Sequence, residues 1–196
     1  MRSEALLVAV VLASGARGRL TPLFPFEFVT VGSYRVYGNS TNFGEARKLL
    51  GPAGLQRVGH GHDAVPFICY LGGHAKGAFT LALETDDEMG GPEQSILRVR
   101  VVRRGYEAGL DRRCSPLRVR AKLPTTDRGI HLGMTRQEIE KVLGRRGRDS
   151  SGVLIYERTE TRKGSTCPTY DATSRLALQF AEGRVVALSG YRGNVC

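Results

Sequence analysis

Tryptophan is absent from this sequence, and aromatic residues make up only 7% of its 196 residues. The few aromatic residues do not form the pattern of an RNA-binding sheet. Neither a zinc-finger spacing nor a basic recognition helix accompanies the arginines. Long apolar runs are also missing, because the longest, residues 5–13, is far shorter than the ~20 residues that span a bilayer. We therefore expect neither a nucleic-acid partner nor a transmembrane segment.

Several catalytic signatures are missing as well. The sequence contains no G-x-S-x-G nucleophile elbow, no Walker phosphate loop and no C-x-x-C pair. These absences argue against an α/β-hydrolase, a P-loop nucleotidase and a thioredoxin-like redox protein, each of which depends on its motif. We find no motif that indicates a cofactor, so none is predicted.

One cluster of residues could still support catalysis. His60, His62 and Asp63 lie within four residues, and His74 follows further along the chain. Because alternate residues of a strand point to the same side, His60 and His62 could bind one metal ion. This cluster defines the alternative function, a metal-dependent secreted hydrolase. Glycines on both sides of His60 favour an exposed loop instead, so we expect no metal site.

The amino-terminal residues have the pattern of an export signal. Arg2 precedes the apolar run at residues 5–13, and small residues follow at Ser14 and Ala16. This order predicts a signal peptide over residues 1–16, and a buried first strand is the structural alternative. No cysteine follows the apolar run, so no lipid anchor is expected. The predicted location is periplasmic or secreted.

Four cysteines are present, at positions Cys69, Cys114, Cys167 and Cys196. An even number in an exported chain favours disulfide bonds, and four cysteines allow three pairings. Isolated buried thiols are the alternative.

The sequence contains an internal repeat. Residues 45–51 and 138–144 are identical at four of seven positions. In each copy a capping box, Asn42 with Glu45 or Thr135 with Glu138, predicts the start of a short helix. A glycine then stands where a left-handed cap ends a helix.

Strand patterns follow both predicted helices. The residues Leu-Ala-Leu occur in an alternating context at 81–83 and again at 176–178, with a further strand candidate on each side. The predicted fold class is α+β, as two tandem repeats, each a short helical segment followed by a three- or four-stranded antiparallel meander. The repeats are expected at residues 29–104 and 129–196, with a linker at residues 105–128.

The meander makes a prediction about the cysteines. In each half one cysteine precedes the middle strand and the other follows the third strand, at the same end of an antiparallel sheet. We therefore expect the pairs Cys69–Cys114 and Cys167–Cys196.

The second half also resembles a known family. The segment Gly129-Ile-His-Leu-Gly-Met-Thr135, followed by Glu138, Ile139 and Leu143-Gly144, resembles the opening of an SmpA/OmlA (BamE-like) domain. Two such units in an exported chain are similar to the tandem layout of β-lactamase-inhibitor-protein (BLIP-like) folds. The resemblance implies a helix before a three-stranded antiparallel sheet, and a role in binding other proteins, of which an inhibitor-like module is one form.

The charge indicates a kind of partner. The formal net charge is +10, and arginines are dense at Arg98, Arg100 and Arg103. Since valines alternate with these arginines, a strand there would bury the valines and expose the arginines. We expect this basic stripe to bind a protein or an anionic component of the cell envelope, and a merely solvated basic surface is the alternative. The sequence as a whole favours an exported binding protein of unknown target over an enzyme.

Overall fold

The computed structural model describes residues 24–59, 64–74, 77–85, 93–107, 109–164 and 168–195. These ranges contain two helices, α1 (Phe43–Leu50) and α2 (Arg136–Leu143). They also contain twelve strands: β1 (Phe28–Val31), β2 (Tyr34–Tyr37), β3 (Gln56–Val58), β4 (Val65–Gly72), β5 (Phe79–Glu84), β6 (Arg98–Arg103), β7 (Ser115–Pro116), β8 (Thr125–Thr126), β9 (Arg148–Ser150), β10 (Val153–Arg162), β11 (Tyr170–Ala181) and β12 (Arg184–Val195).

Most strands belong to one long antiparallel sheet. Its strand order is β3-β4-β5-β6-β12-β11-β10-β9, and β7 adds to β4 in the parallel direction. The predicted strands around Leu81 and Leu176 are the middle strands β5 and β11 of the two meanders. The two meanders join where β6 pairs with β12, with Val101 opposite Leu188. The fold is thus predominantly antiparallel sheet with two short helices, which is compatible with the predicted α+β class.

Both helices begin as the sequence predicts. In α1 the Asn42 side chain accepts a hydrogen bond from the backbone of Glu45, and the Glu45 carboxylate accepts one from the backbone of Asn42. Thr135 and Glu138 form the same reciprocal pair at α2. Each box satisfies backbone N–H groups that the first helical turn leaves unpaired, which defines where the helix starts.

The two helices end differently. Gly144 has φ 64° and ψ 15°, the predicted left-handed cap of α2. Gly51 has φ 114° and ψ 170°, so the left-handed cap predicted for α1 is wrong. The physical reason is Pro52, because the ring of a proline excludes helical backbone from the residue before it and favours extended ψ values.

The core lies on one face of the long sheet. Leu81, Val101, Leu188 and Leu178 line this face, and side chains of both helices belong to the same buried cluster. Phe43 of α1 and Ile139 of α2 are fully buried in this cluster. Burial of these apolar stripes explains why helices of only eight residues are stable, since such short helices depend on packing.

A second, smaller sheet completes the covering layer. Its order is β2-β1-β8, and Val29, Val31 and Val36 from it join the core. Strand β8 comes from the stretch that the sequence predicts to be a linker. That stretch also carries a 3-10 turn (Asp111–Arg113) and β7, which pairs with β4 of the long sheet.

The disulfide Cys69–Cys114 is present, which confirms the pairing predicted for the first half. The predicted partners Cys167 and Cys196 lie outside the described residues, as does the predicted signal peptide, and both stay predictions. In the part of the chain that the structure describes, no helix has both the length and the apolar character needed to cross a membrane.

Tyr70 should make stability sensitive to alkaline pH. Its hydroxyl is buried and donates a hydrogen bond to the Gly51 carbonyl at 3.0 Å. Burial raises the pKa of Tyr70 to about 12, while nearby Arg47 partly opposes the shift. An unfolded tyrosine ionises near pH ~10, so the folded state binds this proton more tightly.

The bound proton of Tyr70 therefore adds about 2–3 kcal/mol to the free energy of unfolding below pH ~10. This stabilisation is lost as the pH rises towards 12. We expect urea unfolding to show that, between about pH 9 and pH 11, the free energy of unfolding falls less for Tyr70→Phe than for the wild type. Equal losses in both proteins would contradict the assignment.

Candidate binding surface

The face of the long sheet opposite the core, here called the open face, differs between the two meanders. In the first meander it carries a small apolar cluster of Phe67, Cys69 and Ala82, against which Leu110 and Cys114 pack. In the second meander, β10–β12, we find no described segment packed on it. The described residues thus cover the first half of the open face, whereas over the second half they leave an open hollow.

Residues 105–107 and 109–114 form the cover, and several different contacts hold them. Besides the disulfide, the Thr80 hydroxyl donates a hydrogen bond to the Asp111 carboxylate. The same carboxylate accepts a hydrogen bond from the Gly105 backbone at 2.8 Å. Arg100 forms an ion pair with Glu107 of this segment. A hollow of about 250 Å³ remains beneath the cover.

The three predicted contact arginines do not lie on one face. Val99 and Val101 are fully buried in the core, as predicted, and Arg98 and Arg100 point to the open face. Arg103 is paired with the core residue Phe79, so strand alternation places it on the opposite face, where it is exposed. The predicted stripe is therefore reduced to Arg98 and Arg100.

A buried carboxylate neutralises these two arginines. Glu84 is only 5% exposed, and its carboxylate accepts hydrogen bonds from Arg98 at 3.0 Å and Arg100 at 3.2 Å. Burial acts to lower the pKa of Arg100, but the charges of Glu84 and Glu107 outweigh burial and raise it. With two carboxylates beside two guanidinium groups, this part of the open face carries little net charge.

Arg98 belongs to a row that crosses five strands. Successive cross-strand partners in the row are Glu84, Arg98, Tyr191, Arg175 and Glu157. The Arg98 guanidinium lies 5.9 Å from the Tyr191 ring centre, and Arg175 approaches Glu157 at 3.7 Å. Directly opposite side chains of a sheet stand about 5 Å apart, so the row places one tyrosine between two arginines, with a glutamate at each end. We call it the Arg–Tyr–Arg row.

An open hollow of about 570 Å³ lies over this row. Hydroxyl groups of Thr159, Thr173 and Ser189 line it beside the row, and the hydroxyls of the two threonines are 3.0 Å apart. Tyrosine and arginine are enriched at protein interfaces, and short hydroxyl side chains supply adaptable hydrogen bonds there. The surface is concave, polar and close to neutral, a composition suited to contact with another protein.

The structure does not test the predicted metal cluster. His60, His62 and Asp63 lie outside the described residues, and His74 is exposed just after β4, where its carbonyl accepts a hydrogen bond from Gly77. Elsewhere in the described ranges, no group of three histidine, cysteine or acidic side chains is arranged to hold a metal ion. The hydrolase hypothesis stays a prediction.

Sequence reasoning missed Glu84, Tyr191 and Arg175. Strand alternation could have identified Glu84, because it lies two residues after Ala82 and so opposite in direction to Leu81 and Leu83. The row itself could not be read from the sequence, because it depends on β6 pairing with β12 across a separation of about ninety residues.

In comparisons with known proteins, no family model, no curated protein and no solved structure matches this chain.

Proposed function

We propose that this chain is an exported binding protein, periplasmic or secreted, that holds a protein partner against the open face of β10–β12. The observation that carries the proposal is the Arg–Tyr–Arg row in its open hollow, since tyrosine and arginine are among the residue types that dominate binding energy at interfaces. Of the predicted contact arginines, Arg98 keeps this role. The disulfide supports the location, because such bonds persist in oxidising compartments.

We further propose that the chain consists of two copies of one helix-plus-sheet unit, joined edge to edge through β6 and β12. The order of elements supports this proposal, because in each half a capped helix precedes a short edge strand and a three-stranded meander. The resemblance of residues 129–192 to the SmpA/OmlA (BamE-like) domain, and of the pair to BLIP-like folds, agrees with a role in protein binding.

The proposed function can be tested by site-specific photo-crosslinking. A benzophenone side chain at Ser189, within the hollow, is expected to form a discrete adduct with a protein from the envelope or medium of the source cells. The matched control is the same group at Lys141, an exposed residue of α2 in the layer that covers the other face. The proposal would be contradicted if both positions formed the same set of crosslinked adducts.

The captured protein then allows a quantitative check. Tyr191→Ala should weaken its binding at least about tenfold, because it removes the centre of the row, whereas Lys141→Ala should leave affinity unchanged. Isothermal titration calorimetry with purified components measures both variants. An unchanged affinity for Tyr191→Ala would place the contact elsewhere.

A further inference from the structure

The predicted linker carries three exposed cations that form no ion pair with a described carboxylate, in contrast to Arg98 and Arg100 of the predicted stripe. Residues 117–123 run beside the edge of the long sheet and the end of α1. The backbone N–H of Leu117 donates to the Leu71 carbonyl at 2.9 Å, and that of Arg118 donates to the Leu50 carbonyl at 2.8 Å. These bonds fix the segment to β4 and α1 at the same time.

Side chains of this segment alternate in direction. The apolar residues at odd positions are partly buried against the core, and the cations between them are exposed. The inward set is Leu117, Val119, Ala121 and Leu123. The outward set, which we call the cationic ladder, is Arg118, Arg120 and Lys122. The ladder therefore presents three cations within five residues on the outer side of the segment.

The ladder is not neutralised within the described part of the chain. None of its three cations forms an ion pair with a described carboxylate. The contrast with Arg98 and Arg100 is direct, since both of those share the buried carboxylate of Glu84. Exposed cations held on a fixed backbone attract an anionic partner without first breaking an internal pair.

We propose that the cationic ladder binds an extended acidic polysaccharide. Three separate cations on the same side of a segment fit a polymer with repeated negative groups better than they fit one small anion. A nucleic acid is less favoured, because residues 117–123 include no aromatic side chain on which bases could stack. A membrane surface is also less favoured, because binding there combines cations with exposed apolar side chains, and here the apolar residues face the core.

The test compares two triple variants that each lower the formal net charge from +10 to +7. One removes the ladder (Arg118→Gln, Arg120→Gln, Lys122→Gln). The matched control removes three exposed cations at and just before the start of β9 (Arg145→Gln, Arg146→Gln, Arg148→Gln). The probe is a fluorescent heparin oligosaccharide, with binding followed by anisotropy at several salt concentrations. Circular dichroism verifies that both variants keep the fold.

We expect the ladder variant to bind heparin at least about tenfold more weakly than the wild type at low salt. The number of ions released on binding, read from the dependence of affinity on salt concentration, should fall by about three. The affinity of the control variant for heparin should fall by about threefold or less. Equal losses in the two variants would overturn the proposal, as would the absence of wild-type binding.

Two further probes separate the other anionic partners. A single-stranded oligothymidylate, or vesicles that contain phosphatidylglycerol, should bind more weakly than heparin and should depend less on the ladder. Tighter, ladder-dependent binding of either probe would replace the polysaccharide with a nucleic acid or a membrane. If a ladder variant fails to fold, the single changes Arg120→Gln and Lys122→Gln, each expected to weaken binding about twofold to threefold, test the same proposal.

Discussion

Replacing both Cys69 and Cys114 with alanine is expected to lower the free energy of unfolding by about 3–4 kcal/mol. The disulfide joins residues 45 positions apart, so its removal restores a large conformational freedom to the unfolded chain. Chemical denaturation of the oxidised wild type and the double variant measures the difference. A change below about 1 kcal/mol would contradict the expected contribution.

The same replacement should also loosen the cover on the first meander. Leu110 and Cys114 pack on Phe67 and Ala82, so release of residues 109–114 would expose apolar surface. We expect faster tryptic cleavage after Arg112 and Arg113 in the double variant than in the oxidised wild type. The variant is a cleaner test than a reducing agent, which would also break the predicted pair Cys167–Cys196. Unchanged cleavage would mean that the remaining contacts of Asp111 and Glu107 hold the cover without the disulfide.

Replacing Gly190 with alanine is expected to lower the free energy of unfolding by about 3 kcal/mol. Gly190 lies on β12, facing the core, and an added Cβ atom would stand 2.2–2.4 Å from atoms of the Phe26 ring. Phe26 is fully buried and cannot move aside easily, because Ser174 binds both its N–H and its carbonyl, at 3.1 Å and 2.7 Å. The clash must therefore distort the core.

Gly77→Ala is the matched control, because a Cβ atom there would meet no atom within 4 Å and Gly77 does not have a positive φ. Thermal and urea unfolding should show little change for this control. Shortening the opposing side chain in the double variant Gly190→Ala, Phe26→Leu should recover part of the lost stability. A neutral effect of Gly190→Ala alone would show that Phe26 does not occupy this position.

These two predictions concern contacts that connect distant parts of the chain, and they show where sequence reasoning succeeds. Its successes are local: the capping boxes at Asn42 and Thr135 and the alternating strands around Leu81 and Leu176. Each of these depends on residues within a few positions of one another. The Cys69–Cys114 pair was predictable for a related reason, since a meander of consecutive strands fixes which strand ends meet.

The candidate site shows the limit of the same reasoning. The density of arginines at positions 98–103 predicted a free basic stripe, but the charge of a guanidinium depends on which carboxylate lies beside it. Glu84 is fourteen residues before Arg98 in the chain and directly opposite it in the sheet. The alternating pattern of residues 117–123 was available in the sequence, yet only packing against the core showed which side faces outward.

The sequence by itself thus determined the helix starts, the strands of the two meanders and one disulfide, because neighbouring residues decide these features through capping, alternation and chain connectivity. The tertiary structure alone decided which faces are covered, where the net charge is exposed and how the two meanders meet. Those features depend on contacts between residues far apart, such as Phe26 with Ser174 across a separation of 148. Contacts of that kind form only when the whole core is buried, and no local pattern encodes them.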